Sequence, residues 1–441
     1  MKKIIRILAF IIALNLLASC TNQRDIVNGG EIEVPTRSNN KKLTKPEYPN
    51  KPGDYFERYT DEYEKFVEEH PFPNQIKDSL IAFTDDTAKM LIEDGENLIY
   101  SPLSLYYALG MLSYGASGET ELELKKYMHF DGENIEDDLK NLYLNESEEN
   151  DYTTVKIANS IWINNNCTDI ELNDINQDYL KTMENNFFAD IYNVDYSDIK
   201  TIEEMNDWVD KATFSKIPNP IQEIDKDSVM SLMNTIYYKS EFKEKFNIKL
   251  NIQDEFISSG GNAYMTEFMN KSDHHMPIKR DDDYISTSIK LKGGEMHFIL
   301  PIEGLLPENL LNKGKFIKSY FEKEIEYKNT DFYTPKIGLK QNHDLLEKLH
   351  LDEILGKNSN TNLSGIIDSE LFVSDIRQDN VFDMDEKGVQ AASFTIADID
   401  KTAAMPEQDE KIEIKLNRPF IFLLTLDNGE IAFVGLVNNI E

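Results

Sequence analysis

Helix-forming and strand-forming segments are segregated along this chain, and no βαβ rhythm runs through it. Early on, "NQIKDSLIAFTDDTAKMLIED" sets Ile76, Leu80, Phe83 and Leu91 near helical spacing, with Asn74 available as N-cap. "SPLSLYYALGMLSYGA" reads as a second helix, with Ser101 as cap and Pro102 in the first turn, where a missing N–H is tolerated. Gly115 and Gly118 end it, "ETELELKKYM" begins a third, and "INQDYLKTMENNFFADI" is helical again. Strands come in with the alternating "VKIANSIWINNN" and the long apolar "VMSLMNTIYYKSEF". In the second half "DDYISTSIKLKGGEMHFILP" is a hairpin turning at Gly293-Gly294, and "DFYTPKIGLK" and "ELFVSDIRQDNVFDMDEKG" are extended. "PFIFLLTLDNGEIAFVGLV" is a second hairpin, with strongly apolar arms flanking Asp427-Asn428-Gly429. This order predicts an α+β body built on large, mainly antiparallel β-sheets.

The ends of the chain carry different information. Lys2 and Lys3 precede the apolar run "IIRILAFIIALNLLASC", whose charged start, short apolar core and small residues at its end read as a signal peptide over residues 1–19 rather than a membrane span. Leu17-Ala18-Ser19-Cys20 resembles the bacterial lipobox, which implies acylation of Cys20 and a lipid-anchored protein of the cell envelope, at the outer membrane or cell surface. Residues 20–72, polar and holding "GG", "NNKK" and "PEYPNKP", read as a flexible tether, and the folded body spans 73–441. With Cys20 used for lipid, Cys167 stands alone and no disulfide framework supports the fold.

Several chemistries are excluded. The net charge is −34, from 80 acidic and 46 basic residues, which opposes nucleic-acid binding because that requires a basic face. "GASGET" at Gly115 lacks the lysine of a phosphate loop and follows a helix where that motif follows a strand. His274 and His275 are adjacent, so their side chains diverge on regular structure, whereas a metal pair needs both on one face. No G-x-S-x-G elbow marks Ser101 or Ser104 as a nucleophile. No cofactor, metal or enzymatic activity is expected.

One stretch near the C-terminus, "DEKGVQAASFTIADIDKTAAMPEQDEKIEIK", combines strand competence with sites that proteases cut. It lies in the place of a reactive loop, for the segments "NLIYSPLSLYYALGMLSYGASGETELEL", "MNDWVDKATFSKI", "VMSLMNTIYYKSEFKEKF", "MHFILP", "LSGI" and "RPFIFLLTLDNGEIAFVGLV" resemble, in order, the signature blocks of the serpins. The lipobox and tether make the chain similar to bacterial lipoprotein serpins of the Bacteroidetes. The resemblance covers residues 74–441 and implies a monomeric suicide-substrate inhibitor of serine proteases. In that mechanism a protease cuts the loop at about 386–412 and forms an acyl-enzyme, and the cut loop inserts into the main sheet. The implied hinge is Glu386, Gly388, Val389, Ala391, Ala392 and Ser393. Family spacing puts the reactive bond at Thr402–Ala403, suited to elastase-like enzymes, with Lys401, suited to trypsin-like ones, as the alternative.

The residues themselves are compatible with insertion. From Val389 one parity reads Val389, Ala391, Ser393, Thr395, Ala397 and Ile399, all small or apolar, while Asp398 and Asp400 fall on the other face. No proline interrupts Gly388–Ala404, so no ladder donor is missing. Two positions depart from the family pattern. The cluster that controls sheet opening resembles Ser101, Ser104 and Asn234, but Gln378 replaces the usual histidine, and Phe242 stands where a tryptophan usually lies as the loop enters the sheet. The alternative within the family is a non-inhibitory serpin with a binding or chaperone role. A nutrient-binding lipoprotein would need an aromatic platform, and the only tryptophans are Trp162 and Trp208.

Overall fold

The computed structural model describes residues 12–18 (as backbone), 40–44, 46, 60–166, 171–389 and 411–440. Its helices include α1 (Asp61–Glu69), α2 (Asn74–Leu91), α3 (Pro102–Gly115), α4 (Glu119–Tyr127), α5 (Ile135–Glu146), α6 (Gln177–Asn185) and α7 (Ile199–Ala212). In α3 every residue except Tyr114 is buried, as befits a helix that is apolar on all sides. Ser101 caps α3 by accepting from the Ser104 N–H, and Pro102 sits in its first turn. At α2 the cap is Pro73, with Asn74 the first helical residue. The segment "INQDYLKTMENNFFADI" divides, α6 stopping at Asn185 and a strand beginning at Ala189. Asn185 and Asn186 are poor helix formers, and Phe188 takes φ 51°, which breaks the turn.

Two sheets carry the body. The first contains β1 (Ile12–Ala18), β2 (Lys41–Lys42), β4 (Glu148–Glu149), β5 (Thr153–Asn164), β6 (Ala189–Val194), β7 (Ser228–Glu241), β13 (Ile337–Asp344), β14 (Leu371–Asp385) and β15 (Gly388–Val389). The second contains β3 (Leu98–Tyr100), β8 (Ile252–Ile257), β9 (Ala263–Arg280), β10 (Tyr284–Leu291), β11 (Gly294–Pro301), β12 (Glu326–Pro335), β16 (Ile412–Lys415), β17 (Phe420–Thr425) and β18 (Ile431–Val437). Pairing is antiparallel except between β5 and β6 and between β12 and β16. The expected α+β architecture is thus the one observed, and both predicted hairpins, β10–β11 and β17–β18, are present.

Across the first sheet the order runs β13, β14, β7, β5, β6, β2, but β14 and β7 are not direct neighbours. β15 lies between them at one end and β1 farther along. The first of these opens the segment expected to be the reactive loop, and the second is the apolar run expected to be a signal peptide. Within residues 20–72, read as a tether, β2 pairs with β6, and α1 buries Phe66.

Candidate functional site

The geometry of interest is the interval between β7 and β14. The end that faces the loop is closed by the turn Glu386–Gly388. The backbone N–H of Phe242 donates to the Lys387 carbonyl at 2.8 Å, and that of Phe246 to the Glu386 carbonyl at 3.0 Å. Phe242 is fully buried and packs edge-on against Phe246, ring centroids 5.3 Å apart. A phenylalanine therefore fills this position with apolar contact, and its backbone rather than an indole N–H holds the turn.

Glu386 anchors the turn through its side chain. Oε1 accepts from Asn251 Nδ2 at 2.6 Å and from Lys336 Nζ at 2.9 Å, and Lys336 also reaches Glu267 at 2.7 Å. Burial alone would raise the Glu386 carboxyl, but the hydrogen bonds from Lys336, its own backbone and Asn251 outweigh burial and hold it below the ordinary carboxylate value. Gly388 has to be glycine, because a Cβ there would stand 2.1 Å from the Ser240 carbonyl oxygen and 2.8 Å from the Glu241 Cα. Val389 is buried and pairs with Met384 on β14 and Ser240 on β7. Gly388 and Val389 are therefore already seated between β14 and β7 at this end.

Farther along, the two walls are latched to α3. Gln378, on β14, accepts from the Ser101 N–H through Oε1 and donates to the Ser101 carbonyl through Nε2, each at 2.9 Å. Ser101 Oγ donates to the Ala432 carbonyl at 2.6 Å, and the Ser104 N–H donates to Ser101 Oγ at 3.1 Å. Ser104 Oγ donates to Asn234 Oδ1 on β7, and Asn234 Nδ2 donates to Asn159 Oδ1 at 2.6 Å. All four residues of the expected sheet-opening cluster thus join one buried network that ties both walls to one helix start.

Sequence reasoning missed one member of this network and one neighbour of it. Asn159 continues the chain to the Phe187 carbonyl at 2.6 Å, and its only signal is a polar residue inside the apolar strand β5. His343 on β13 is the direct register partner of Gln378, and its Nε2 lies 2.9 Å from the Ile99 carbonyl. A histidine therefore stands one strand away from the position where one is usual. Burial holds its pKa below the ordinary imidazole value.

Asp375 and Asp379 lie on β14 on the opposite parity from Gln378. Burial pushes both carboxyls up to about 6, against the pull of Arg377, whose Nε lies 2.6 Å from Asp375. Asn380 Oδ1 is buried and has no hydrogen-bond partner among the described residues. Ala391, Ala392, Ser393, Lys401, Thr402, Ala403 and Cys20 lie outside the described residues. His275 stacks on Tyr327, ring centroids 4.3 Å apart, and among the described residues no cluster of three metal-ligating side chains forms.

The fold has counterparts among known proteins. The family model described as Serpin (serine protease inhibitor) matches residues 78–440. The chain belongs to the serpin family. Among curated relatives it is similar to neuroserpin of Mus musculus, 26% identical over 379 residues that cover 79% of this chain and 87% of that protein. It is also similar to alpha-1-antiproteinase of Rattus norvegicus, 24% identical over 84% of this chain and 90% of that protein. Among solved structures, the thermophilic serpin tengpin in its native state superposes with TM-score 0.72, at 23% identity, over 91% of this chain and all of that one. Thyroxine-binding globulin in complex with thyroxine superposes with TM-score 0.68, at 19% identity, over 83% of this chain and 99% of that one. At such identities the structures speak for the serpin fold alone.

Proposed function

We propose that this serpin is a suicide-substrate inhibitor of serine proteases, which traps the enzyme as an acyl-enzyme when the severed loop becomes a central strand between β7 and β14. The observation that carries this reading is the register of the slot. Continuing one-for-one from Val389, which faces Met384 and Ser240, residue 395 comes level with both Gln378 and Asn234. The strand that pairs on both walls there, β1, has Ile12 against these same two residues. Both walls thus keep one common register down to Asp375 and Ser231, and beyond these each shifts by one residue at a different point.

That register matches the loop's chemistry. On insertion Ala391 would meet Phe382 and Tyr238, Ser393 would meet Asn380 and Ile236, and Thr395 would meet Gln378 and Asn234. Ala397 would meet Ile376 and Leu232. Every wall residue named is buried, so small apolar residues fall against large ones and hydroxyls against amides. Ser393 would come beside the unpartnered Asn380 Oδ1 and could donate to it. Allowing for the irregularities recorded on each wall by β1, the slot runs out at Leu371, level with Lys401. A strand from Val389 to Lys401 therefore fills the sheet and leaves Thr402 just past its far end, in agreement with a cut at Thr402–Ala403 or one bond earlier. Roughly a dozen new backbone hydrogen bonds at about 1 kcal/mol net each amount to a whole domain's stability. Distorting a catalytic site by about 1 Å costs a protease ~100-fold in rate.

In the same reading the signal peptide ends at Ser19 and Cys20 carries the lipid that holds the inhibitor at the cell envelope. The test is to incubate chain starting at Cys20 with trypsin and with an elastase. An adduct that survives boiling in detergent is expected, and mass spectrometry of the released fragment locates the bond. Cleavage between Ile399 and Met405 without an adduct would instead establish a non-inhibitory serpin.

A further inference from the structure

Residues 40–44, in the stretch read from sequence as a tether, are stitched along the outer edge of the first sheet. β2 pairs antiparallel with β6, Lys41 against Asn193 and Lys42 against Tyr192. The Leu43 N–H donates to the Ile191 carbonyl at 2.7 Å, and the Ile191 N–H donates to Thr44 Oγ1 at 2.9 Å. The Asp195 N–H donates to Asn40 Oδ1 at 3.2 Å. Backbone groups that an edge strand would leave open between Ile191 and Asp195 are thus taken. Leu43 packs against the core, and Pro46 is buried.

The same residues also reach α7. Asn40 Nδ2 donates to Glu204 Oε2 at 3.0 Å and to Thr201 Oγ1 at 3.4 Å. Lys42 Nζ lies 2.5 Å from Asp190 Oδ1 on β6, and Asp190 Oδ2 accepts from Trp208 Nε1 on α7 at 3.2 Å. From there α7 crosses the half-sheet. Lys156 Nζ on β5 donates to the Lys211 carbonyl at 3.4 Å, and Phe214, just past the helix, packs on Tyr237 of β7 with ring centroids 4.5 Å apart. The helix is a bar across β6, β5 and β7, fastened near its start by residues 40–44.

We infer that residues 40–44 are a strap, which clamps the start of α7 to the outer edge of the first sheet and slows rearrangement of the β6, β5 and β7 half in the uncut chain. The clamp stands on the contacts above, while its value to inhibition rests on the trapping reading, in which that half must part from β14. The backbone bonds to β6 keep the strap on the edge. Any shift of α7 along β6 must then break either the Asn40 bonds to Thr201 and Glu204 or the relay from Lys42 through Asp190 to Trp208. An exposed ion pair is worth little by itself, so the resistance belongs to strap, edge strand and helix acting as one unit.

The experiment uses the chain starting at Cys20. One variant combines Asn40→Ala with Lys42→Glu, which removes both ties to α7 and sets a like charge beside Asp190. The control, Lys41→Glu, makes the same charge change at the neighbouring exposed lysine. Amide hydrogen exchange is followed at residues 189–194, 201–208 and 230–238. In the double variant all three stretches should exchange at least about tenfold faster than in the parent, and in Lys41→Glu within about twofold of it. Unchanged exchange at 189–194 and 201–208 would overturn the strap, and faster exchange confined to these two would overturn its hold on β7. On incubation before trypsin is added, the double variant should lose its capacity to form adduct several-fold faster than the parent, and equal loss would refute the effect on inhibition. If no protein forms an adduct, the trapping reading has failed, and the exchange rates alone decide the strap.

Discussion

Gln378 and Ser101 exchange two hydrogen bonds at 2.9 Å, the amide side chain of one closing on the backbone N–H and carbonyl of the other. Both residues are fully buried. Gln378→Ala leaves a buried donor and a buried acceptor unsatisfied, which costs about 1–3 kcal/mol. The expected outcome is a lower Tm for the uncut protein, because the wall strand β14 loses its tie to α3. Gln378→His should recover part of the loss, since an imidazole can replace one of the two bonds. Thermal unfolding of the three proteins at pH 7.5 checks the order.

Gly388 meets the backbone of β7 so closely that a methyl group would overlap the Ser240 carbonyl. Gly388→Ala therefore forces the hinge away from the sheet and unseats Val389. Loop cleavage by trypsin should proceed at an unchanged rate, since the scissile region lies far along the chain. Adduct yield should fall several-fold, because insertion loses its first two residues. Densitometry of adduct against cleaved inhibitor measures the partition, and an unchanged partition would refute the role assigned to this glycine.

Asp375 carries a pH dependence. Burial raises its carboxyl to about 6 in the folded chain, above the unfolded value near 4. The folded state therefore holds the proton more tightly, and stability is lost as pH rises from about 4 through 6. In the cleaved, inserted form Asp398 would add a like charge directly across, at a cost of roughly 1 kcal/mol. Asp375→Asn should raise the Tm of the cleaved protein at pH 7.5 and leave it unchanged near pH 4. Melting curves of the nicked protein at both pH values test this.

Much of this architecture is legible in the chain. Long strands of period two, the Gly293-Gly294 and Asp427-Asn428-Gly429 turns, and Ser101 with Pro102 at the start of α3 each specify their own local structure. Ser101, Ser104, Asn234 and Gln378 could be named from the resemblance, but not the onward connection from Asn234 to Asn159. That connection depends on which strands become neighbours, and pairing partners far apart in sequence leave no local trace. His343 escaped for the same reason, since its importance comes from lying across the register from Gln378. The apolar run Ile12–Ala18 satisfies two readings at once. A leader needs only hydrophobicity, a central strand needs the same, and nothing in seven uncharged residues distinguishes them.

Glu430, in the hairpin between β17 and β18, is buried beside Glu146, whose Oε1 accepts from Asn428 Nδ2 at 2.5 Å. Burial and then the neighbouring Glu146 carboxylate push the Glu430 carboxyl well above the ordinary value, with Lys77 a smaller opposing charge. Two carboxylates so placed cannot both ionise without penalty. The proton is therefore held by the folded state, and the contribution of this pair is intact at acid pH and lost as pH rises above the ordinary carboxylate value. Glu430→Gln keeps the shape and a donor while removing the charge. It should raise Tm at pH 7.5 by roughly 1–3 °C and have no effect near pH 4. A variant that melts lower than the parent at pH 7.5 would mean that the ionised pair is compensated by charges other than Lys77, and the proposed proton sharing would be wrong.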